Sequence, residues 1–595
     1  MPRLPLILMT ACLLSNFASA QDEASKPSVA MIEISGTPAN APGPLDWLMP
    51  PEDPTLPQLI DGLHEIANSK RYQAIVIRLK DAALTETQIQ ELSAPLAAIR
   101  GAGTKVFVFG EALGTSDLMF AAHADEVICQ AGGDIQLTGL ATEEMYLADM
   151  FEWVGLKADM IQVGAYKGAN EQMVNSQPSP EWDENINGLL DSMYSNIREP
   201  ILAGRKLTNA ALDQAMEDLW MGQAEDALRA GLIDHAIDFT ALTAHVREDL
   251  GQAFDWEFDA IPTGDAVAPD FSNPFGAIGA LMREPDVEPE GETIAILHVD
   301  GAIVDGDSSV GGFSGEPTVG SRTLRNAMED ILAEPLIKGV IVRIDSPGGS
   351  ATASEVMWQG LRRLSGKKPV WVSVGSMAAS GGYYLAVGGD RIYVNPSSIV
   401  GSIGVVGGKI SMDGLYSKLK VNIVTRTRGP RSDMFSSMPW SDAQRELVRD
   451  QMTRTYEKFT ARVKAGRKGV DIEKIAAGRL FTGNRAIENG MADRIGGLDV
   501  AMDDMAKELG LSDFKIMHYP APRSLPDVIS DMLGGTIASA PDVASNNAVN
   551  RSVAVTGERL LGVRTWKQIA RQLDGMSQLR EETVILMSPK AVIVK

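Results

Sequence analysis

The sequence predicts an α/β protein made of two tandem domains, each with a parallel sheet and crossover helices. Short β-branched runs alternate with helical stretches, and this strand–helix–strand order is typical of parallel strands joined by right-handed crossovers. Two halves of the sequence also match each other at a nearly fixed offset, which indicates a duplicated unit. With 595 residues, the chain is too long for a single hydrophobic core.

The duplication is visible as ungapped matches between the two halves. Ser28–Gly36 aligns with Thr293–Gly301, and Ala74–Leu79 aligns with Gly339–Ile344, both pairs lying 265 residues apart. The offset falls to 259 residues near the end of each unit. Several matches at one offset are not expected by chance, so we predict one ancestral domain with small deletions in the later part of its second copy.

The second unit shows its elements most clearly. β-branched runs predict four strands, and longer runs with helical periodicity predict four helices. The predicted strands are Thr293–Val299, Gly339–Ile344, Val370–Val374 and Arg391–Val394. The predicted helices lie near residues 322–333, 353–364, 382–387 and 442–463.

Shifts in composition give the predicted domain boundaries. Residues 262–292 are rich in proline, glycine and acidic side chains, which is typical of a linker. The tail after about residue 520 loses the repeat; we expect disorder at 542–550 and a docking or solvated helix at 559–579. The predicted parts are a signal peptide or N-terminal anchor (1–20), a first domain (27–261), the linker (262–292), a second domain (293–520) and a C-terminal extension (521–595).

Charge excludes some classes of partner. The formal net charge is −24 and the pI is near 4.8. A chain of this kind has no excess of cations with which to neutralise phosphates, so nucleic acid is not an expected partner. General adhesion to anionic lipid is disfavoured for the same reason.

The first twenty residues predict export. A basic Arg3, an apolar run over residues 4–14 and the small residues Ala18-Ser19-Ala20 describe a secretory signal. An uncleaved anchor is the alternative, although the apolar run is short for a membrane span. Cys12 and Cys129 are the only cysteines, so cleavage would leave one thiol, with neither an intrachain disulfide nor a cysteine metal site.

Ser380 is the candidate nucleophile. It follows the predicted Val370–Val374 strand, which we expect to stop at Gly375, and it precedes Gly381 at the start of an apolar helix. A serine there lies near unpaired N–H groups and the positive end of the helix, which can stabilise an oxyanion. The alternative is that Ser380 only caps the helix, as serine often does.

Two glycines, Gly348 and Gly349, lie in the segment Asp345–Ser350, which follows the predicted Gly339–Ile344 strand. A Pro-Gly-Gly turn would leave backbone N–H groups uncovered, as an oxyanion hole requires. The corresponding stretch of the first unit, Lys80–Leu84, has neither glycine. An ordinary type II turn is the alternative, and the spacing matches neither a dinucleotide fingerprint nor a P-loop.

A serine nucleophile needs a base, which could be a histidine or an uncharged lysine. We interpret the histidines as structural, although sequence order does not exclude a triad. Lys167 has small, uncharged neighbours, so it is either the base or an ordinary surface lysine. Burial would lower its pKa, and a change from ~10.4 to about 7–8 requires roughly 3–4 kcal/mol. The histidines are His64, His123, His235, His245, His298 and His518.

The two units are complementary at these positions. The counterpart of Ser380 in the first unit is Thr115. The counterpart of Lys167 in the second unit falls within Arg428–Ser432, which contains arginines but no lysine. Arginine does not give up its proton in proteins. Each unit therefore keeps the half of a Ser–Lys pair that the other unit lacks.

Four motifs together carry a family resemblance. They are Val163–Lys167, Asp345–Glu355, Met377–Tyr384 and Gly401–Val405. With these motifs the chain resembles the long, duplicated signal peptide peptidases of peptidase family S49, over about residues 28 to 520. The resemblance implies a ClpP/crotonase-like fold, a spiral of ββα turns, used twice.

The resemblance also implies a role for each candidate residue. Ser380 would be the nucleophile and Lys167 the general base, with the N–H groups of Gly348, Gly349 and Gly381 as the oxyanion hole. No metal or organic cofactor is implied. The family forms ring-like homotetramers, and each dyad would join the first domain of one subunit to the second domain of its neighbour. The implied substrates are remnant signal peptides, which suggests a periplasmic protein associated with the inner membrane.

Two other functions are alternatives. The same fold serves acyl-CoA enzymes of the crotonase type, and a catalytically inactive scaffold at the membrane would also preserve it. Turnover of a fluorogenic peptide separates the scaffold from a protease. Failure to label with a serine-directed phosphonate, together with binding of CoA, would favour the acyl-CoA enzyme. Whether the dyad forms within one chain or between two is open at this point.

Overall fold

A computed structural model of the protein describes residues 27–43, 45–263, 282–285, 287–310, 317–522, 584–587 and 593–594, together with residues 276, 279 and 524. The predicted signal peptide or anchor at 1–20 lies outside these residues. The predicted disordered stretch at 542–550 and the predicted docking helix at 559–579 also lie outside them. The domain boundaries stay predictions.

The first unit contains eleven strands and nine α-helices among the described residues. The strands are β1 (Ser28–Gly36), β2 (Tyr72–Ala82), β3 (Lys105–Gly110), β4 (Leu113–Gly114), β5 (Glu126–Gln130), β6 (Asp134–Gln136), β7 (Ala141–Thr142), β8 (Lys157–Val163), β9 (Gly222–Gln223), β10 (His235–Ile237) and β11 (Asp255–Glu257). The helices are α1 (Leu56–Ser69), α2 (Glu86–Gly101), α3 (Thr115–Ala121), α4 (Ala148–Val154), α5 (Glu171–Val174), α6 (Pro180–Arg205), α7 (Asn209–Asp218), α8 (Ala224–Ala230) and α9 (Leu242–Leu250).

The second unit and the tail contain the remaining described elements. The strands are β12 (Thr293–Asp300), β13 (Ala302–Val304), β14 (Ser309–Val310), β15 (Pro317–Gly320), β16 (Ile337–Ser346), β17 (Gly348–Ser350), β18 (Val370–Ala379), β19 (Arg391–Val394), β20 (Ile399–Gly401), β21 (Val405–Ser411), β22 (Leu480–Phe481), β23 (Arg494–Ile495), β24 (Lys515–Tyr519), β25 (Val584–Met587) and β26 (Ile593–Val594). The helices are α10 (Ser321–Ala333), α11 (Ala351–Ser365), α12 (Gly381–Ala386), α13 (Asp413–Lys418), α14 (Asp442–Gly466), α15 (Ile472–Ile475), α16 (Gly483–Glu488) and α17 (Leu498–Leu509).

The two units repeat one strand order. The first sheet runs β10-β5-β3-β2-β1-β11, and the second contains the matching path β23-β19-β18-β16-β12-β24. Neighbouring strands along both paths are parallel. The predicted α/β class with tandem parallel sheets is therefore confirmed. Within the described ranges, none of the helices combines the length and the apolar character that a membrane crossing requires.

Both parallel sheets are covered on their two faces, which explains their continuous apolar runs. In β2, Ile75 and Ile77 belong to one apolar cluster, whereas Ala74 and Val76 belong to another. Side chains alternate across a strand, so a strand buried on both faces has no polar alternation. The apolar runs therefore place each sheet between two apolar layers of its unit.

Two predicted details of the second unit were wrong: the end of one strand and the conformation of one turn. Strand β18 continues past Gly375 to Ala379, because Met377–Ala379 pairs with β20 after an irregularity in the pairing with β16. The predicted Pro-Gly-Gly turn is a short strand at Gly348–Ser350, because its backbone pairs with neighbouring strands. Local composition identifies the glycines, whereas long-range pairing decides their conformation.

A third sheet joins the two units. Its order is β14-β15-β13-β17-β25-β21-β8, so strand β8 of the first unit lies beside β21 of the second. These two strands are antiparallel over their full length, from Val163 opposite Val405 to Lys157 opposite Ser411. Helix α6 adds an apolar contact, because Trp182 and Ile186 cluster with Ala379 of the second unit. The units thus share both a sheet and an apolar interface.

A buried ion pair also links the units. Arg343 on β16 lies 2.8 Å from Glu91 on α2, and both side chains are almost fully buried. Asn395 Nδ2 donates to the same Glu91 oxygen at 2.7 Å, and Arg343 also donates to Ser373 Oγ at 2.9 Å. Burial raises the pKa of Glu91, while the adjacent guanidinium opposes that rise. The pair is held by a surrounding set of polar contacts.

We expect Glu91→Gln to lower the unfolding free energy by about 3–5 kcal/mol, because it leaves the Arg343 charge buried without a counter-ion. The measurement is the midpoint of urea unfolding at pH 7. The matched control is Glu329→Gln, which removes a carboxylate from an exposed pair with Arg363 and is expected to cost less than about 1 kcal/mol. Equal midpoints for the two variants would contradict the prediction.

Candidate active site

Ser380 sits at a sharp junction between strand β18 and helix α12. Its backbone has φ 53° and ψ −111°, a conformation that costs a non-glycine residue about 1–3 kcal/mol. Its N–H donates to Gly401 O at 2.8 Å, and the side chain is fully buried. The first helical bond runs from Tyr384 N–H to Ser380 O, so the Gly381 N–H precedes the helical ladder. The hydroxyl is thus held at the amino end of a helix.

The side chain of Lys167 ends beside the Ser380 hydroxyl. Its Nζ lies 2.8 Å from Ser380 Oγ, 2.9 Å from Ser402 O and 2.8 Å from Ser402 Oγ. The lysine is 0% exposed. Among the described residues, no carboxylate lies within ion-pair distance of it. Burial holds the pKa of Lys167 well below its ordinary value of 10.5, because the ammonium loses its hydration without gaining a counter-ion.

The three contacts of Nζ fit an uncharged amine. A neutral amine has two N–H donors and one lone pair. The two donors can bond to the Oγ and the carbonyl O of Ser402, which leaves the lone pair for the Ser380 hydroxyl. An amine in this arrangement can accept the hydroxyl proton.

Strand pairing explains why Lys167 of the first unit lies next to Ser380 and Ser402 of the second. Lys167 comes four residues after β8, and Ser402 comes three residues before β21. Because Val163 is opposite Val405, the two chain segments leave the sheet side by side. Strand β20 pairs with the end of β18, which places Ser402 next to Ser380. The ends of β8, β18 and β20 therefore meet at one point.

Close backbone packing keeps water away from the lysine. A Cβ on Gly168 would lie 2.3 Å from the ring of Trp182, so that indole rests directly on the chain beside Lys167. A Cβ on Gly478 would lie 2.4 Å from Lys167 N, so only glycine permits this approach. Tyr166 N–H donates to Ala477 O at 2.8 Å and fixes the same two segments together. This enclosure is the physical source of the lowered pKa.

The three glycines predicted for an oxyanion hole lie close together. A Cβ placed on Gly381 would be 3.1 Å from Gly348 Cα and 3.2 Å from Gly349 N. The Gly348 N–H already donates to Ser346 Oγ at 3.2 Å. The Gly348 amide is therefore already engaged within its own segment.

Sequence reasoning missed the part played by Ser402. The Gly401–Val405 motif carries part of the family resemblance, but its sequence assigns no contact to Ser402. Ser402 has φ 55° and is 1% exposed, and it supplies two of the three oxygens around Lys167 Nζ. A serine between glycine and isoleucine at a strand end was the available signal. Its partner became clear only from the fold.

The histidines take no part in this cluster. In the described part of the chain, none forms a hydrogen bond to Ser380 or Lys167. His245 lies 2.9 Å from Glu126, and His64 lies 3.5 Å from Asp499. His298 and His518 contact each other at 2.9 Å.

The expectation that the pair joins two subunits differs from the structure. Lys167 and Ser380 meet within one chain, because the antiparallel pairing of β8 with β21 carries the first unit's lysine onto the second unit. The site is complete in a single molecule as far as these two side chains are concerned.

A family model described as Peptidase family S49 matches residues 98–252 and 362–512, which together make up about half of the chain. The two matched segments fall one in each unit. Each unit therefore carries the family pattern separately.

Two relatives match over most of this chain, and a third matches less than half of it. Protease 4 of Salmonella typhi is 26% identical over 498 residues, 82% of this chain and 77% of that protein. The chloroplastic serine protease SPPA of Arabidopsis thaliana is 27% identical over 491 residues, 80% of this chain and 69% of that protein. A putative signal peptide peptidase SppA of Enterococcus faecium is 31% identical over 253 residues, 41% of this chain and 71% of that protein.

A solved structure also matches part of the chain. It is a mutant of a membrane-bound stomatin-specific protease in complex with a substrate peptide. It is 15% identical, and the match covers 41% of this chain and 98% of that one with a TM-score of 0.26.

Proposed function

This chain belongs to peptidase family S49 and is a serine protease, and from that premise we propose that Ser380 and Lys167 form its catalytic dyad. The observation that carries the proposal is the 2.8 Å contact between Lys167 Nζ and Ser380 Oγ in a fully buried setting without a counter-ion. A buried amine of lowered pKa can act as a general base near neutral pH.

The first half-reaction makes an acyl-enzyme. Ser380 Oγ attacks the carbonyl carbon of the scissile peptide bond, and Lys167 Nζ takes the hydroxyl proton. The carbonyl oxygen becomes an oxyanion, which the N–H groups of Gly349 and Gly381 stabilise. The C–N bond then breaks, and the Lys167 ammonium returns its proton to the leaving amine.

The second half-reaction restores the enzyme. A water molecule attacks the ester carbonyl, and the neutral Lys167 amine accepts a proton from that water. The ester bond breaks, Ser380 Oγ recovers a proton from Lys167, and the product carboxylic acid releases its remaining proton to solvent and leaves as a carboxylate. Ser402 holds Nζ in place through both halves by accepting its two N–H bonds.

The biological setting is part of the proposal. The predicted export signal supports a periplasmic location, and the relatives' names support remnant signal peptides as substrates. We extend to this chain the ring-like homotetramer and the association with the inner membrane that the resemblance implies. Serine-protease membership decides against the alternatives of an acyl-CoA enzyme and an inactive scaffold.

The test is the pH dependence of labelling by a serine-directed phosphonate, followed by mass spectrometry of the labelled residue. We expect the label on Ser380. The rate should rise with pH as Lys167 loses its proton, because only the neutral amine can activate the hydroxyl. Since burial lowers the pKa of Lys167, the rise should be complete well below pH 10.5. A rise only near that ordinary pKa, or a label on another residue, would contradict the proposed dyad.

A further inference from the structure

Two histidines and a glutamate converge at the edge of the first sheet. His245 Nε2 lies 2.9 Å from Glu126 Oε2, and His235 Nε2 lies 3.5 Å from the same oxygen. The two imidazole rings are 4.3 Å apart between their centroids. Among the described residues, this is the one group of at least three histidine, cysteine or carboxylate side chains whose ligand atoms all lie within 4.8 Å of one another. Three atoms that carry lone pairs therefore lie around one point.

The register of two strands and one covering helix brings these side chains together. Glu126, the first residue of β5, points to the same face of the sheet as Ile128, two residues later. His235, the first residue of the edge strand β10, is the pairing partner of Ile128. Helix α9 covers this face, because its Leu242 shares an apolar cluster with Ile128, and His245 lies three residues further along the same helix face. The cluster thus joins an edge strand, its neighbour and a helix.

The distances fit a metal ion with tetrahedral coordination. Zn²⁺ bonds to imidazole nitrogen and carboxylate oxygen are about 2.0–2.2 Å long, which places neighbouring ligand atoms about 3.3 Å apart. The separations of 2.9 and 3.5 Å from Glu126 Oε2 lie on either side of that value. The two histidine nitrogens lie within 4.8 Å of each other, and rotation of the His235 ring, whose side chain is 41% exposed, shortens that separation. Two imidazoles and one carboxylate are a ligand set of zinc sites that keep a fourth position for water.

The surroundings of the cluster supply an outer shell and an entry path. Glu126 Oε1, the oxygen that does not face the histidines, accepts a hydrogen bond from Lys105 Nζ at 2.6 Å. Lys105 Nζ also donates to Asp249 on α9, so a second carboxylate balances its charge. Outer hydrogen bonds of this kind orient a ligating carboxylate. The exposed side of His235 gives a hydrated ion a route to the three ligand atoms.

The chemistry of the ligands selects the class of ion. Imidazole nitrogen suits Zn²⁺ and similar transition-metal ions, whereas Ca²⁺ and Mg²⁺ prefer ligand sets made of oxygen alone. Hydrogen bonding of both imidazoles to Glu126, with no ion between them, is the alternative arrangement. The two arrangements predict opposite results when Zn²⁺ is added.

We propose that Glu126, His235 and His245 bind one divalent transition-metal ion of the Zn²⁺ class, with water in the fourth position, and that this ion fastens helix α9 to the edge of the first sheet. The cluster is separate from the proposed dyad, because β5 and β10 belong to the first sheet, whereas Lys167 follows β8 of the third sheet. The proposal is therefore independent of the chemistry at Ser380. An ion that binds only the folded unit stabilises that unit.

The binding test is a calorimetric titration of the full chain, without a polyhistidine tag, with Zn²⁺ alone near neutral pH. We expect one ion per chain, and binding weaker by at least about 100-fold in His235→Gln, since loss of even an outer partner of a ligand costs about 10–100-fold. The matched control is His64→Gln, which removes a histidine that lies 3.5 Å from the single carboxylate of Asp499. Its affinity should stay within about twofold of wild type. Absence of binding by the wild-type chain, or equal affinities of His235→Gln and wild type, would overturn the proposal.

Anomalous scattering at the zinc absorption edge locates the ion without any substitution. Crystals of the wild-type protein grown with Zn²⁺ should show a peak about 2.0–2.2 Å from Glu126 Oε2 and from Nε2 of both His235 and His245. Peaks elsewhere, with none between these side chains, would overturn the assignment. Because the protein is unaltered, misfolding of a variant does not affect this result.

Hydrogen exchange tests the fastening of α9. When free Zn²⁺ is about 100 times the dissociation constant, exchange through openings that break the site should slow about 100-fold. We expect this protection at the amides of residues 242–250 in the wild type and its absence in His235→Gln. A cooperative melting transition of His235→Gln without zinc shows that the variant is folded. Unchanged exchange across α9 in the zinc-bound wild type would overturn the fastening.

Discussion

Ser380→Ala is expected to lower kcat/KM for an unstructured peptide by roughly 10⁵-fold, equivalent to about 7 kcal/mol of transition-state stabilisation. The methyl group fits the buried, left-handed position of Ser380 but offers no oxygen for an acyl-enzyme. The measurement is the initial rate of cleavage of a fluorogenic peptide at equal enzyme concentrations.

The control for this variant is Ser195→Ala. Ser195 lies on helix α6, is exposed and donates only to Asp191 O within its own helix. Its substitution should leave kcat/KM within about twofold of wild type, because surface changes of this kind cost at most about 0.5 kcal/mol. More than about 1% residual activity in Ser380→Ala would point to another nucleophile.

Lys167→Met is expected to lower kcat/KM by roughly 10⁴-fold, because the hydroxyl then has no proton acceptor. Stability should respond differently. Methionine has a similar length and no polar atom to desolvate, so the melting temperature should stay equal or rise. The two measurements are peptide turnover and the Tm of the same preparation. Loss of activity in a fully folded variant isolates the amine.

The matched control is Lys409→Met on strand β21. Its Nζ donates to Met434 O at 3.2 Å and Ser436 O at 3.0 Å, away from the dyad, and its loss should change turnover less than threefold. Ser402→Ala should show an intermediate loss of about tenfold, because it removes one hydrogen bond from Lys167 Nζ. Near wild-type turnover by Lys167→Met would remove lysine from the reaction.

The proposed dyad is divided between the two units, so the proposed mechanism depends on the interface. Lys167 belongs to one unit and Ser380 to the other, so any loosening of β8 against β21 separates the proposed base from the proposed nucleophile. The buried Glu91–Arg343 pair and the apolar packing of Trp182 on the second unit resist that loosening. A substitution far from Ser380 can therefore reduce turnover through the interface alone.

Local sequence was enough to predict the repeated architecture. β-branched runs and helical periodicity gave the strands and helices of the second unit, and the offset of 265 residues gave their counterparts in the first. The loss of Ser380's counterpart at Thr115, and of Lys167's counterpart near Arg428, predicted that the halves of the pair lie in different units. These inferences need only short windows of sequence, in which backbone propensity and side-chain pattern act directly.

Tertiary structure alone decided how those parts meet. The register of β8 on β21, the contact of Ser402 with Lys167 and the return of Val584–Met587 between β17 and β21 all join segments far apart in the chain. No local pattern encodes such contacts, because each depends on which unpaired strand edge is near when the two units pack. The sequence therefore determined which residues could react, and the packing of one unit on the other determined that a buried lysine, stripped of water, faces a serine hydroxyl.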